Sequence, residues 1–255
     1  MNSTLFALLV LVGVVPTLSC RAERPATATQ TSAQARQAAI QALVQRGVTI
    51  GRDPEGRVES VEATKVKLGD SDLALLERLP ELESLKLSAV PITNQGLVHL
   101  AALVNLKRLY LNDVDVTDAG MIHLRDLVRL EVLSLRNTHV TGAAMVHVRW
   151  MVNLQVLNLS GTEMDDAGLA LLAPLAQLNT LVLQRTKITG SGLVHVKKLG
   201  RLVVLNLVDC DVDDSELKHL NGLTELRMLY VEGTKVTEEN VKKFQETMPG
   251  LAVYN

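Results

Sequence analysis

The chain has 255 residues, 47% apolar and only 2% aromatic, with 26 basic against 28 acidic residues. A charged fraction of 21% beside so much aliphatic side chain excludes a disordered polymer. The formal charge of -2, with no basic run longer than Lys197-Lys198 or Lys242-Lys243, leaves no electrostatic footprint for nucleic acid, and two cysteines, Cys20 and Cys210, are too few for a disulfide framework or a cysteine zinc site.

The N-terminal segment is a different material from the rest. Residues 5–15 form a run of eleven uncharged, mostly aliphatic residues, well short of the ~20 that cross a bilayer as a helix, and predict a signal peptide over 1–19. Pro16-Thr17-Leu18-Ser19-Cys20 resembles a bacterial lipobox, which implies cleavage before Cys20 and diacylation of its sulfur. The expected product is an exported chain, periplasmic or at the outer membrane or cell surface, with Cys20 as its lipid anchor; ordinary secretion and an uncleaved N-terminal anchor are the alternatives, and all three export the chain. Residues 20–31 have the small, polar composition of a flexible tether. Over 32–46, Ala38, Ala39, Ala42 and Leu43 mark a helix that Gly47 stops. The segments 48–50 and 58–61 flank Asp53-Pro54-Glu55-Gly56 and predict a hairpin, so that 32–55 caps the remainder of the chain.

One period governs the next 192 residues. Written in eight rows of 24 from Gly56 to Thr247, the chain keeps its apolar residues in columns without an insertion. One column reads Val61, Leu85, Leu109, Leu133, Leu157, Leu181, Leu205, Leu229; a second, at a bend, reads Leu68, Ile92, Val116, Val140, Met164, Ile188, Val212, Val236. Within a row, Leu85-x-Leu87 alternates with period two, a strand, whereas Leu97, Leu100 and Leu103 recur every three, a short helix. The bend column Thr93, Thr117, Thr141, Asp165, Thr189, Asp213, Thr237 supplies caps for the free N–H groups at each helix start, and Asp118, Asp166, Asp214 and Glu238 suit the helix dipole.

The row Leu-x-x-Leu-x-Leu-x-x-Thr-x-Val-Thr-Asp-x-Gly-Leu-x-x-Leu, seen with small changes at 106–124 and 154–172, resembles a leucine-rich repeat, and its variant resembles the cysteine-containing and GALA-type repeats and those of many exported bacterial proteins. The resemblance implies an α/β solenoid, a horseshoe with a parallel sheet on its concave face and short helices on its convex face. The consensus Asn at the end of the strand motif is replaced by Val66, Val90, Val114, Thr138, Thr162, Thr186, Cys210 and Thr234, so the usual asparagine ladder is not expected. A single row cannot offset the cost of ordering its own backbone, ~1–2 kcal/mol per residue, so rows must stack, and 248–255 is expected to cap the last one.

Three patterns tempt a chemical reading, and each has a plainer one. His99, His123, His147, His195 and His219 share a column, but helices of adjacent rows lie ~8–10 Å apart, too far for nitrogens that must each approach one ion to ~2.1 Å. Asp209-Cys210-Asp211-Val212-Asp213-Asp214 has calcium-loop spacing, yet Asp214 and Leu220 stand where such a loop needs Gly and Glu. Gly190-Ser191-Gly192 lacks the third glycine of a dinucleotide fingerprint. No row carries a nucleophile with a base or a carboxylate pair beyond what the repeat explains. The expectation is a non-enzyme without cofactor or metal that binds a protein or peptide.

The outward strand residues then define the candidate site. On the concave face these are Arg108, Tyr110, Asn112, Ser134, Arg136, Asn158, Ser160, Gln184, Asn206 and Tyr230. Tyr and Arg are the residue types that anchor interfaces. The alternative reading from the same sequence is a structural or self-associating envelope protein.

Overall fold

The computed structural model describes residues 28–255, with side chains from Ser32 onward. The expected signal peptide, the lipid-bearing Cys20 and the first part of the tether lie outside the described residues. Helix α1 spans Ala28–Gln45, four residues more than expected at its start. Residues 28–31 contain no Gly or Pro, and an established helix propagates at little cost. Its buried face is Ala39, Ile40 and Leu43. At its end Gly47, at φ 83°, lets Val48 N–H donate back to the Leu43 carbonyl at 3.2 Å.

Ten strands form one sheet: β1 (Thr49–Arg52), β2 (Val58–Thr64), β3 (Ser84–Ser88), β4 (Arg108–Asn112), β5 (Val132–Ser134), β6 (Val156–Asn158), β7 (Thr180–Val182), β8 (Val204–Asn206), β9 (Met228–Tyr230) and β10 (Ala252–Tyr254). They lie side by side in sequence order. Only β1 is antiparallel, as the hairpin partner of β2; every other neighbour is parallel. In each parallel pair the partners are separated by one row of 24, as in Leu85↔Leu109 and Leu205↔Leu229. The last pair, Leu229↔Val253, keeps that spacing, so the C-terminal segment is the strand half of a ninth row.

The leucine columns meet between sheet and helices: Leu85, Leu109, Leu133, Leu157, Leu181, Leu205 and Leu229 are all fully buried, each contributing ~1.5–3 kcal/mol by burial. Each row also turns at one left-handed residue, in the column Lys65, Ala89, Asp113, Asn137, Gly161, Arg185, Asp209, Gly233, with φ between 50° and 68°. That conformation costs most side chains ~1–2 kcal/mol, and Gly161 and Gly233 relieve it in two rows.

Polar columns tie row to row at the helix starts. Asp70 accepts from the Thr93 N–H at 2.7 Å and from its hydroxyl at 2.7 Å. Asp118 does the same with Thr141, Asp166 with Thr189 and Asp214 with Thr237. Asn94 accepts from Thr117 N–H at 2.9 Å and donates to its hydroxyl at 2.8 Å. Three of the four acids expected at the helix dipole, Asp118, Asp166 and Asp214, therefore also clamp the following row. Where the partner column holds Asp165 or Asp213 instead of Thr, the clamp position is Gly142 or Gly190. A Cβ on Gly142 would lie 2.0 Å from Asp165 Oδ1.

Of the bend column, Thr93, Thr141, Asp165, Asp213 and Thr237 accept from N–H groups of their own helices; Thr117 and Thr189 make no such cap and serve the clamp between rows. In place of an asparagine ladder, the Thr138, Thr162, Thr186 and Thr234 hydroxyls donate to the carbonyls of Leu135, Leu159, Leu183 and Val231 at 2.6–2.7 Å. Exposed ion pairs repeat the 24-residue step: Lys86–Glu62 at 2.6 Å, Lys107–Glu83 at 2.8 Å, Lys187–Glu163 at 2.8 Å and Lys235–Asp211 at 2.6 Å. The hydrogen bonds from Lys86 and Lys187 hold Glu62 and Glu163 below the usual carboxylate range. Solvent screens such pairs, and each adds little stability.

Candidate functional site on the concave sheet

The column Tyr110↔Ser134↔Asn158↔Val182↔Asn206↔Tyr230 runs across the sheet in strict register. The structure separates the expected site residues into four groups. Ser134 and Ser160 are buried, contrary to the expectation. Strand alternation puts them on the outer side, but each is short and sits among taller neighbours. The Ser134 hydroxyl donates to Asn112 Oδ1 at 2.7 Å, and that of Ser160 to Asn158 Oδ1 at 2.7 Å. Asn112, Asn158 and Asn206 are half-buried, and their side-chain oxygens also accept from the backbone N–H of Arg136, Ser160 and Val208 respectively. These asparagines finish the strands.

Arg108 and Arg136 already have partners, Glu59 at 3.7 Å and Asp113 at 2.6 Å. Lys86, on the same face, pairs with Glu62. The end of the sheet near β2 is thus a mesh of compensated charge around Tyr110. The other end differs. Tyr230 stacks on Tyr254 with ring centroids 4.5 Å apart and planes 11° from parallel. Met228 is 39% exposed beside them, with its sulfur 3.8 Å from the Tyr230 hydroxyl. Val204, Val182 and Gln184 continue this surface, half-buried. Sequence reasoning missed Tyr254, although it stands 24 residues after Tyr230 and the period announces it.

The acidic stretch has structural jobs, and one of the column histidines has a carboxylate partner. His99 Nδ1 lies 2.7 Å from Glu77 Oε1, and among the described residues no group of three His, Cys, Asp or Glu is placed to hold a metal ion. In the acidic stretch, Asp209 pairs with Arg185, Asp211 with Lys235, Asp213 caps Ser215 and Asp214 clamps Thr237. The Ser215 backbone N–H keeps the Asp213 carboxyl below its usual range. Cys210 is buried and donates to the Leu183 carbonyl at 3.0 Å; burial pushes its thiol above the usual range. Alkylation at Cys210 should therefore be slow in the folded chain and rise steeply in denaturant, as peptide mass mapping would read. Equal rates in both states would contradict this burial.

An array of strand, bend and short helix, repeated in register with one continuous aliphatic interior, is the leucine-rich-repeat solenoid. No protein-family model matches the chain, and no curated protein matches it. Solved structures do. Internalin C2 from Listeria monocytogenes superposes with a TM-score of 0.62 at 19% identity, over 77% of this chain and 80% of that one. A plant ice-binding protein gives 0.57 at 16% identity, over 87% and 77%. The leucine-rich-repeat ectodomain of an Arabidopsis thaliana membrane receptor kinase, solved in complex with Casparian strip integrity factor 2, gives 0.58 at 18% identity; the match covers 81% of this chain but only 25% of that one. Likeness at these identities is one of fold.

Proposed function

We propose that this solenoid is an exported, lipid-anchored module that captures a protein or peptide on its concave sheet, chiefly at the end built by β8, β9 and β10. The observation that carries this reading is the stacked Tyr230–Tyr254 pair beside exposed Met228. Aromatic and Met side chains presented on a rigid sheet lose little entropy on binding and are enriched in interface cores. The charged end around Arg108 and Arg136 would set orientation and encounter rate. Support from outside the chain comes from the plant receptor, whose repeats are seen with a bound factor. Support for export and for a lipid at Cys20 comes from the N-terminal run and the lipobox-like residues that follow it; among the described residues no helix is long and apolar enough to cross a membrane.

A photo-crosslinking residue in place of Gln184, on the same surface but outside the tyrosine pair, should trap one partner in the producing cells. Tyr230→Ala or Tyr254→Ala should weaken that capture by about thirtyfold, the size of an interface hot spot, with an unchanged melting temperature. Capture that survives both substitutions at full strength would overturn the concave site. Crosslinks to this same chain alone would favour a self-associating envelope protein.

A further inference from the structure

The helix side of the stack carries a second surface. Over three successive repeats the positions Val98, Ile122 and Val146 are exposed, as are Val104, Val128 and Val152, each set spaced by 24 residues. Trp150, the only tryptophan in the chain, is 61% exposed beside them. The Arg149 guanidinium lies 5.2 Å from its ring centroid. Aliphatic residues repeated at exposed positions of the short helices, Val98, Ile122 and Val146, and of the turns after them, Val104, Val128 and Val152, are not required by the core, which the inner columns already fill.

In the middle rows the charge on this side is mostly positive, whereas the row before them carries Glu77 and Glu81 with Arg78, and the row after them Glu225 with Lys218. The helix-side segments 98–105, 122–129, 146–153, 170–177 and 194–201 contain Arg125, Arg129, Arg149, Lys197, Lys198 and Arg201 but one acid, Asp126. Of these cations only Arg125 is ion-paired among the described residues, with that Asp126 at 3.5 Å. The segments therefore carry +5 (6 - 1) in a chain whose formal charge is -2. A third observation concerns where the chain enters. Helix α1 runs along the first row with Arg36 against Glu81 and Arg46 against Asp72, so its N-terminal end points to the edge marked by Pro80. Val104, Val128 and Val152 lie at 24-residue steps from Pro80 on that edge. Cys20 precedes the first described helical residue, Ala28, by eight positions.

We infer that this helix-side face rests on an anionic lipid surface, with Trp150 and the two valine-rich columns in the headgroup region and the six cations against lipid phosphates. Tryptophan with arginine and lysine at its margin is the composition that settles at a membrane interface, and each cation near an anionic leaflet adds attraction. The face itself does not need the anchor, but the anchor at Cys20, which rests on the proposed function, would hold this face near the lipid and leave the concave sheet turned away and open.

The test uses the full chain with Cys20→Ser, so that no lipid is attached, and vesicles of phosphatidylglycerol with phosphatidylcholine. Trp150 emission should shift to the blue and be quenched by brominated acyl chains, and the response should weaken with salt and on phosphatidylcholine alone. Lys197→Glu with Lys198→Glu should cut partitioning about tenfold or more, and Val128→Asp with Val152→Asp should abolish the shift. Co-sedimentation with unchanged Trp150 emission would mean that residues 5–15 alone insert, and would overturn the inference. A blue shift that grows with protein concentration without lipid would overturn it as well, in favour of a second copy on this face. Mass measurement of the mature amino terminus tests the lipid at Cys20 separately.

Discussion

Gly142→Asp should destabilise the fold by about 2–4 kcal/mol, and adding Asp165→Thr should recover part of that loss. In the native chain the space at Gly142 is held by the Asp165 carboxylate, which accepts from Gly168 N–H at 2.9 Å, and by the Gly168 Cα, 2.9 Å from where a Cβ would stand. A second carboxylate there both overpacks the site and sets two like charges in contact. The double substitution instead rebuilds the arrangement that Asp70, Thr93 and Gly96 already make, in which Asp70 takes both Thr93 donors. Denaturant melts of the four chains give the coupling directly, and about 2 kcal/mol is expected in favour of the pair. Additive losses would mean that the clamp between rows is not a unit. The same logic explains the glycine: its role is to yield space to a neighbour one row away.

Leu157→Ala should cost about 3 kcal/mol. Leu157 is fully buried at the middle of the stack, in register with Leu133 and Leu181, and neither neighbour can collapse into the void without dragging its own strand. Because each row contacts only the rows beside it, the defect should also split the transition, with exchange protection lost first around β5 to β7. Val156→Ala, one residue away on the outer side, should change stability by well under 1 kcal/mol. Equal losses at the two positions would contradict the assignment of faces.

Much of this was legible in the sequence because the repeat prints each environment eight times. The leucine columns and the switch from period two to period three place strands, helices and core, and the structure follows them with a constant register. What escaped did so for physical reasons. Reading down columns hides contacts that run between them, so the Asp–Thr clamps, which join residues 23 apart, emerge only in three dimensions. Alternation tells which side of a strand a residue takes but not how tall its neighbours stand, hence the burial of Ser134 and Ser160. Ending the rows at Thr247 concealed Tyr254, the stacking partner of Tyr230. The exposed valines of the helix side stood in columns of their own, but a sequence does not say which columns face water.

The most direct test of the stacked, in-register architecture is a ruler along one column. Nitroxide pairs placed at Ser84 with Thr180, with Val204 and with Met228 in turn span four, five and six rows of one column. Dipolar spectroscopy should find their separations rising in even steps of about 4.8 Å, to near 29 Å for the last pair. Distances that level off or shorten along the series would show a chain folded back on itself, and would contradict both the open solenoid and the two surfaces assigned to it.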